Sequence, residues 1–275
     1  MSRADHATPL LPDGAPLECL FERPGLARDG WPPSIVEAYG GGFGLEVPSV
    51  IANFVTSVDG VVGLAEGAES GGIISGGAAA DRFVMGLLRA AADVVLVGAG
   101  TFRKATTDSF SAEGIYPSAR DAFAEARRTF GLAPAPRFAL VTGSGDVDTA
   151  APALASATIF TTAQGEARLR SRVAATTRVV ALPGARLQLS DVVAHLRNEG
   201  ARVILSEGGP SFFAQLVAAR AVDELFVTTS PKLFGRTSGD GRRGLAEGLD
   251  LAGRRLELTS LRRHGSLLFS RYRVE

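Results

Sequence analysis

The sequence predicts an α/β fold in which a mostly parallel, mixed sheet carries helices on both faces, and two observations predict it. From Ser49 onward, short apolar runs alternate with segments of helical periodicity, which is typical of a largely parallel sheet. Near the end of the chain, Leu256–Leu261 and Leu267–Val274 flank the turn Arg262–Gly265, the pattern of an antiparallel hairpin. A mixed sheet with a terminal hairpin is therefore favoured over a purely parallel dinucleotide-binding sheet.

Strands and helices are predicted in turn along this part of the chain. The apolar runs predict strands at Val50–Val58, Asp93–Val97, Phe138–Thr142, Thr158–Thr162, Arg178–Leu182, Arg202–Leu205 and Leu225–Thr229. The helical patterns predict helices at Ala79–Ala91, Arg120–Phe130, Glu166–Ala174, Leu189–Asn198 and Ser211–Arg220.

Residues 1–47 show no sustained periodicity and end in the glycine-rich segment Tyr39–Gly44. We expect an N-terminal arm with one short helix, Ser34–Tyr39, or else a disordered tail. Trp31 and Phe43 favour an ordered arm, because disordered tails rarely carry large aromatic side chains. Such an arm would pack along the body or against a partner subunit. Residues 48–275 are predicted to form a single domain.

The composition argues against several classes of function. The 275 residues are 45% hydrophobic, and 29 basic residues balance 29 acidic ones, so nothing favours nucleic acid or an anionic membrane as a partner. Cys19 is the only cysteine and there are three histidines, so neither a disulfide nor a metal site of the zinc-deaminase type is expected. No apolar stretch reaches the roughly 18 to 20 residues of a membrane helix, and the N-terminus lacks a secretory pattern. We expect a soluble, cytoplasmic protein.

Two glycine turns follow buried strands, and the first is Gly98-Ala-Gly100-Thr101. It lacks the third glycine of the dinucleotide-binding fingerprint, because Arg103 stands there, so an ordinary strand-to-loop turn remains an alternative. Thr101, Arg103 and Lys104 nevertheless place a hydroxyl group and two cations where a cofactor phosphate could use them.

The second turn, Glu207-Gly208-Gly209-Pro210-Ser211, is more specific. Its glycines allow close backbone approach to a ligand, and Pro210 suits the first position of a helix whose free N–H groups attract phosphate. Ser211 can add a hydroxyl group. Glu207 could contact the ligand, or it could cap the helix or hold a neighbouring backbone segment.

A third group of polar residues lies upstream, where Thr56-Ser57-Val58-Asp59-Gly60 ends a predicted strand. It places a hydroxyl and a carboxylate at the edge of the sheet, although Asp-Gly is also a common hairpin turn. A loop with Ser70 leads into the helix that carries Asp81, Arg82 and Arg89, three residues that helix capping and salt bridges could also explain.

Taken together and in this order, these segments resemble the reductase domain of bacterial riboflavin biosynthesis, whose fold is that of dihydrofolate reductase. The resemblance extends from Ser49 to the C-terminus, and the chain looks most like the stand-alone actinobacterial-type members, which lack a fused deaminase. It rests on Ser57–Gly60, Ile74–Gly76, Asp81-Arg82 with Leu88–Ala90 and Ala92-Asp93, Val97–Thr101, Glu207–Pro210, and Val222–Leu225 with Pro231–Gly235.

The resemblance implies a three-layer dihydrofolate-reductase-like fold and hydride transfer from NADPH to the ribosyl C1′ of a pyrimidine ribosylamine phosphate. It implies that Glu207 orients or protonates the reacting group, with Asp59 nearby as a second catalytic candidate, and that Arg89 binds an anion or a carbonyl. Ser70, Arg89 and Glu207 would bind this small-molecule substrate. The cofactor would contact Thr56, Gly98, Gly100, Thr101, Ser144, Gly208, Gly209, Pro210 and Ser211.

Ser144 is the implied partner of the 2′-phosphate that distinguishes NADPH. The family is dimeric, so a homodimer is expected, with the arginine-rich hairpin Arg254–Tyr272 as a candidate interface.

The stretch Arg103–Phe110 departs from the family pattern, since Ala105 replaces an acidic residue and the following proline is absent. Gly72 also stands where a tryptophan is common. Cofactor binding tolerates these changes better than the riboflavin-pathway substrate does. A dihydrofolate or other pterin reductase of the same fold, and a non-catalytic NADPH-binding protein, therefore remain alternatives.

Overall fold

A ten-stranded mixed sheet forms the centre of the molecule in the computed structural model, which describes residues 9–65, 70–105 and 109–275. The first eight residues of the predicted arm and residues 106–108 of the altered stretch lie outside these ranges. The strands are β1 Glu18–Glu22, β2 Ser49–Ser57, β3 Val94–Gly98, β4 Arg137–Val141, β5 Thr158–Thr161, β6 Arg178–Ala181, β7 Val203–Ser206, β8 Glu224–Ser230, β9 Leu256–His264 and β10 Leu267–Val274.

Nine α-helices connect or flank these strands within the described residues. They are α1 Pro33–Tyr39, α2 Ser70–Ser75, α3 Ala79–Ala91, α4 Ala99–Phe102, α5 Ala112–Ile115, α6 Arg120–Thr129, α7 Ala163–Leu169, α8 Leu189–Asn198 and α9 Pro210–Ala218. None of the helices described is long and apolar enough to cross a membrane.

The sheet has the order β1-β9-β10-β8-β2-β7-β3-β4-β5-β6. Strands β2 to β8 run parallel to their neighbours within this group, whereas β9 and β10 form an antiparallel hairpin that pairs with β8 on one side and β1 on the other. The predicted α/β class, the mostly parallel sheet and the terminal hairpin are therefore confirmed.

The sheet has two covered faces. On face A, which we define as the side packed against α3 and α6, Phe83, Leu87 and Phe123 share one core with Val95 and Leu205. On face B, the side packed against α8 and α9, a second core forms from the alternate strand residues and includes Val192, Leu216, Phe213, Leu96 and Ile204. Because side chains alternate along a strand, each buried strand contributes to both cores.

The described part of the arm adds β1 to one edge of the sheet and packs its other apolar side chains on face A. Trp31 donates a hydrogen bond from Nε1 to the Phe43 carbonyl (2.6 Å), and its ring meets that of Phe43 edge-on. Arg262, which is buried, donates to the Tyr39 carbonyl (2.9 Å) and lies over the Tyr39 ring. Of the two expectations for this segment, an ordered arm on the body is the one observed, and its helix begins one residue earlier than predicted, at Pro33.

One predicted helix is displaced. The sequence pattern places it at Glu166–Ala174, but α7 spans Ala163–Leu169. It begins early because the Thr162 hydroxyl accepts a hydrogen bond from the N–H of Gly165 and caps the helix. Thr162 therefore marks the start of α7, whereas the sequence pattern places it at the end of the preceding strand.

Candidate active site

The strand topology predicts a ligand crevice at the carboxyl ends of the central strands, because the connections on either side diverge there. Strand β7 lies between β2 and β3. After β3 the chain passes to face A, where Phe102 of α4 is buried in the first core, whereas after β7 it passes to α9 on face B. Ligands of open α/β sheets bind where neighbouring connections leave toward opposite faces.

The two glycine turns border this crevice and touch each other. A Cβ atom placed on Gly209 would lie 3.3 Å from Oγ1 of Thr101, so the second turn approaches the first closely. Gly100 has open space around it, since no atom lies within 4 Å of a Cβ placed there. Gly100, Thr101 and Gly209 therefore present open backbone and a hydroxyl group that a ligand could contact.

Gly98 and Gly208 have a different role. Cβ atoms placed on them would lie 2.9 and 2.2 Å from the Phe212 ring, which is closer than real Cβ contacts come. The space beside these two glycines is filled by Phe212 of α9 rather than left open for a ligand. Their prediction as cofactor contacts therefore concerns their backbone atoms alone.

The start of α9 offers unused donors. Pro210 occupies the first helical position, as predicted from the sequence. Within the described residues, the backbone N–H groups of Gly208, Gly209 and Ser211 have no backbone hydrogen-bond partner. Free N–H groups and the positive end of the helix dipole suit a phosphate group, so this cradle fits the pyrophosphate of a dinucleotide.

Glu207 is held at the end of β7 by Arg89 of α3. Arg89 donates from Nε to Oε1 and from Nη2 to Oε2, both at 2.8 Å. The Arg89 side chain has no exposed surface and that of Glu207 is 7% exposed. Arg89 also donates to the Ser111 carbonyl (3.1 Å), and its guanidinium lies 5.4 Å from the centre of the Phe110 ring.

This arrangement changes the interpretation of Arg89. The resemblance implies that Arg89 binds the substrate, yet the structure buries it behind Glu207 because the carboxylate occupies one edge of its guanidinium. Its direct contact with substrate stays a prediction. The two hydrogen bonds show that Arg89 fixes the orientation of the Glu207 carboxylate, so we describe it as a positioning residue.

Asn53 is a residue that the sequence analysis missed. Ala52 of β2 pairs with Ser206 of β7, so the next residues, Asn53 and Glu207, lie side by side on face A. Asn53 is partly exposed, and its side-chain amide has no hydrogen-bond partner within the described part of the chain. The signal was present in the sequence, because Asn53 is the one polar side chain in the run Val50–Val55.

Asp59 holds a loop in place. Its carboxylate accepts hydrogen bonds from the Ser57 hydroxyl (2.5 Å) and from the N–H groups of Phe234 (3.2 Å) and Gly235 (2.6 Å). The Ser57 hydrogen bond, with those from the two backbone amides, lowers the pKa of Asp59 despite some desolvation. These contacts fit an ionised anchor for the loop after β8, whereas its catalytic role stays a prediction.

Two further predicted contact residues, Ser70 and Thr56, each make a hydrogen bond near the end of β2. Ser70 begins α2, and its hydroxyl accepts a hydrogen bond from the N–H of Leu64 (2.9 Å). Thr56 lies near the end of β2, and its hydroxyl donates to the Ser57 carbonyl (3.0 Å). Because β2 continues beyond the end of β7, Thr56 stands on the wall of the crevice.

Asp81 lies in the first turn of α3, close to α2 and β8. Burial raises its pKa to about 6, against the opposing effect of hydrogen bonds with Thr228 and Ser75 and the charge of Arg82. An acidic group in the first turn of a helix is otherwise favoured by the helix dipole. Burial of Asp81 therefore disfavours the ionised form of its carboxyl group.

Ser144 occupies the turn after β4, on the far side of β3 from β7. Its hydroxyl accepts a hydrogen bond from the N–H of Asp146 (3.2 Å), and its carbonyl accepts one from Arg168 (3.3 Å). Strands β7, β3 and β4 thus bring the second glycine turn, the first glycine turn and Ser144 to one edge of the sheet. Among the residues described, no group of three or more His, Cys, Asp or Glu side chains is placed to hold a metal ion.

Comparisons with known proteins agree with this architecture. The family model described as the RibD C-terminal domain matches residues 48–268. The structure is similar to that of a pyrimidine reductase-like protein from Corynebacterium diphtheriae, with a TM-score of 0.64 and 22% sequence identity over 90% of this chain and 97% of that one. These findings confirm the fold that the resemblance implies.

Two further solved structures are similar. RibD from Acinetobacter baumannii gives a TM-score of 0.63 and 16% identity over 88% of this chain, and the match spans 60% of the RibD chain. A riboflavin biosynthesis reductase from Saccharomyces cerevisiae gives a TM-score of 0.57 and 14% identity over 88% of this chain and 99% of that one. No curated protein sequence matches the chain.

Proposed function

The chain belongs to the RibD C-terminal domain family, and we propose that it is an NADPH-dependent pyrimidine reductase of riboflavin biosynthesis. The substrate would be a pyrimidine ribosylamine phosphate of the 5-amino-6-ribosylaminouracil phosphate type, reduced at the ribosyl C1′. The observation that carries this proposal is the Glu207 carboxylate, fixed by Arg89 at the crevice that the two glycine turns border. The names of two similar structures, a pyrimidine reductase-like protein and a riboflavin biosynthesis reductase, support the reaction class.

The cofactor would lie across the ends of β7, β3 and β4. The free N–H groups of Gly208, Gly209 and Ser211 would bind its pyrophosphate, with the Thr101 hydroxyl beside them. Ser144 would contact the adenosine end. Bound there, NADPH supplies the hydride, and the protein contributes position and electrostatics.

Glu207 would orient the substrate on face A. Both of its carboxylate oxygens already accept hydrogen bonds from Arg89, and a carboxylate in such a pair remains an acceptor for an N–H or O–H group of a ligand. The pairing therefore supports Glu207 as the group that orients the reacting ribosylamine more than as its proton donor. Asn53, beside it, would add a side-chain amide that can both donate and accept.

Asp59 would act as a positioning residue. Through Phe234 and Gly235 it holds the loop after β8, and Lys232 of that loop donates from Nζ to the Ile73 carbonyl of α2 (2.6 Å). Ser70 stands at the start of the same helix. Asp59 would in this way fix α2, and with it Ser70, beside the crevice.

A pterin substrate is the second candidate, and the departure at Ala105 favours testing it. In the family, this stretch carries an acidic residue, then an Asp-Pro and a downstream arginine that helps to hold the substrate phosphate, whereas here Ala105 occupies the acidic position and no proline follows. A substrate without that phosphate, such as dihydrofolate, would not need the family's form of this stretch. A non-catalytic NADPH-binding protein would bind the cofactor with neither substrate being reduced.

A titration followed by a turnover assay separates these functions. We expect NADPH fluorescence to change on mixing with the protein, and NADPH to be oxidised on addition of the pyrimidine but not of dihydrofolate. Oxidation with dihydrofolate alone would support the pterin reductase, and binding without oxidation would support the non-catalytic protein. Absence of both a fluorescence change and a thermal shift would rule out an NADPH-dependent reductase.

The homodimer is a further part of the proposal. Leu20 and Phe21 on the edge strand β1 are each 46% exposed, and Leu268 on β10 is 37% exposed, so the hairpin end of the sheet carries apolar surface. Surfaces of this kind are often covered by a partner subunit. A mass measurement in solution tests it, with twice the chain mass expected and the chain mass alone contradicting it.

A further inference from the structure

A shallow cavity lies at the amino ends of β3 and β7, on the edge of the sheet opposite the crevice. It is enclosed by the described part of the arm, by the junction of α3 with β3, and by the segment that follows α6. Strand β3 has five residues, which places this cavity roughly 15 Å from the glycine turn at Gly98. We call it the arm cavity, and its lining includes Arg28, Trp31, Phe43, Asp93, Phe130 and Arg202. The arm cavity is therefore separate from the proposed cofactor and substrate site.

Three aromatic side chains form the apolar wall of the arm cavity. The Trp31 ring meets those of Phe43 and Phe130 edge-on, with ring centres 5.6 and 4.8 Å apart. Trp31 is 8% exposed, and its Nε1 group already donates to the Phe43 carbonyl, so its indole ring offers apolar surface to a ligand. Aromatic surface of this kind packs favourably against a planar ring.

Two arginine side chains of the lining have no anionic partner. Within the described residues, the guanidinium groups of Arg28 and Arg202 make neither a hydrogen bond nor a salt bridge, and both side chains are exposed. Arg28 lies over the Phe130 ring, 4.3 Å from its centre. Asp93 is the single acidic residue of the lining, and its Oδ2 atom already accepts hydrogen bonds from the N–H groups of Arg202 (2.9 Å) and Val203 (2.7 Å). The lining therefore carries net positive charge beside an apolar wall.

The size of the arm cavity limits its ligand. Its volume is about 40 Å³. A single water molecule needs roughly 10–15 Å³ of such space, so the cavity has room for about three water molecules. A ligand with one aromatic ring would therefore fill it, whereas a dinucleotide would not fit.

We propose that the arm cavity binds a small aromatic carboxylate, with its ring against Trp31 and its carboxylate paired with Arg28 and Arg202. The planar guanidinium matches the geometry of a carboxylate and can donate two hydrogen bonds to it. Sites for small molecules generally combine apolar and aromatic walls with a few polar groups, and the arm cavity has this composition. The inference goes beyond the proposed reductase function and does not rest on it, because this ligand binds without NADPH or the pyrimidine.

Trp31 makes this binding measurable, because it is the only tryptophan of the chain. Titration of the full chain with 3-phenylpropanoate should change the Trp31 fluorescence in a saturable way, and calorimetry measures the same binding independently. We expect a dissociation constant of about 1 mM, which is typical of a ligand with so few atoms. The neutral 3-phenylpropanamide has the same shape and should bind roughly 10-fold more weakly, because it offers the arginines no charge.

Substitution of either arginine tests where the probe binds. We expect Arg28→Gln and Arg202→Gln each to weaken binding of 3-phenylpropanoate by roughly 10-fold, since each removes a hydrogen bond to a charged group. Arg137→Gln is the matched control. Arg137 begins β4 at the same edge of the sheet, but its guanidinium pairs with Glu199 (3.1 Å) and does not line the arm cavity. Saturation with NADPH should leave the affinity for the probe unchanged, because the crevice lies at the opposite edge.

Each outcome of these titrations is decisive. Weaker binding of the probe by Arg28→Gln and Arg202→Gln, with normal binding by Arg137→Gln, supports the inference. Equal affinity for the carboxylate and the amide, or equal binding by the wild type and all three variants, overturns it. A wild type that gives no saturable signal by either method, or that loses the probe when NADPH binds, overturns it as well. The proposed function stands in all of these cases, because its own assay does not use the probe.

Discussion

Arg89 and Glu207 are joined by two hydrogen bonds of 2.8 Å although 118 residues separate them in the chain. The pair connects α3 on face A to the end of β7. Arg127 in turn donates to the carbonyl groups of Arg89, Ala90 and Ala92 at the end of α3. The orientation of Glu207 therefore depends on the position of α3.

Removing one member of this pair leaves a charge without its partner. We expect Arg89→Met to lower the free energy of unfolding by about 3–5 kcal/mol, because the Glu207 carboxylate would remain largely buried and lose both hydrogen bonds. Urea unfolding measures this change. Arg82→Met is the control, since Arg82 is exposed on the same helix and should change stability by about 0.5 kcal/mol or less. Equal stability of the two variants would show that the pair contributes little.

Glu207→Gln separates a role in catalysis from one in folding. The amide keeps the shape of the side chain and can still accept one hydrogen bond from Arg89, but it loses the charge. We expect kcat to fall roughly 100-fold. The dissociation constant for NADPH should stay nearly unchanged, because Glu207 would face the substrate. An equal loss of NADPH affinity would instead assign Glu207 to the cofactor.

The two classes of glycine at the crevice predict opposite behaviour. Gly208→Ala should destabilise the protein by about 1–3 kcal/mol, because the new methyl group would overlap the Phe212 ring. Gly100→Ala should keep the melting temperature, since its surroundings are open, and should weaken NADPH binding. Thermal unfolding and fluorescence titration measure the two effects. A stable Gly208→Ala, or a Gly100→Ala that binds NADPH normally, would contradict this assignment.

The sequence predicted the regular elements well where periodicity was strong. Helices α3 and α8 have the predicted bounds, and the seven predicted parallel strands are all present within one or two residues of them. Strand β1 was not predicted. Four of its five residues are exposed at the edge of the sheet, so its sequence shows no alternation of apolar and polar side chains. Its extended conformation is stabilised by antiparallel pairing with β9, a contact that the local sequence does not reveal.

The sequence predicts which residues form the candidate site, but it does not predict which of their side chains contact one another. The glycine turns and Glu207 follow buried strands in the sequence, and parallel strands bring such ends together. The Arg89–Glu207 pair could not be predicted, because it joins a helix and a strand far apart in the chain. Phe212 likewise accounts for Gly98 and Gly208 only once α9 is packed against β3.

Asp81 predicts a dependence of stability on pH. Burial raises its pKa from 3.8 to about 6 in the folded protein, so the folded state binds the proton more tightly than the unfolded state does. The contribution of Asp81 to the free energy of unfolding therefore falls as pH rises from about 4 through 6, by at most about 3 kcal/mol.

Asp81→Asn removes the ionisable group, so the variant should not lose free energy of unfolding at this position as the pH rises. We expect the variant to resemble the wild type near pH 4 and to be the more stable protein at pH 8, as measured by urea unfolding at both values. Its amide oxygen can still accept hydrogen bonds from Ser75 and Thr228. A stability difference that is the same at both pH values would contradict the raised pKa of Asp81.

Under the proposed function, NADPH bound in this crevice would transfer a hydride to the ribosyl C1′ of the pyrimidine. The most direct test uses NADPH that carries deuterium at C4 on the transferred face, with each face labelled in turn, and mass spectrometry of the product. The proposal predicts that one labelled form delivers a single deuterium to C1′, and that Glu207→Gln slows this transfer. Product without deuterium from either form, or no product at all while NADPH is bound, would contradict it.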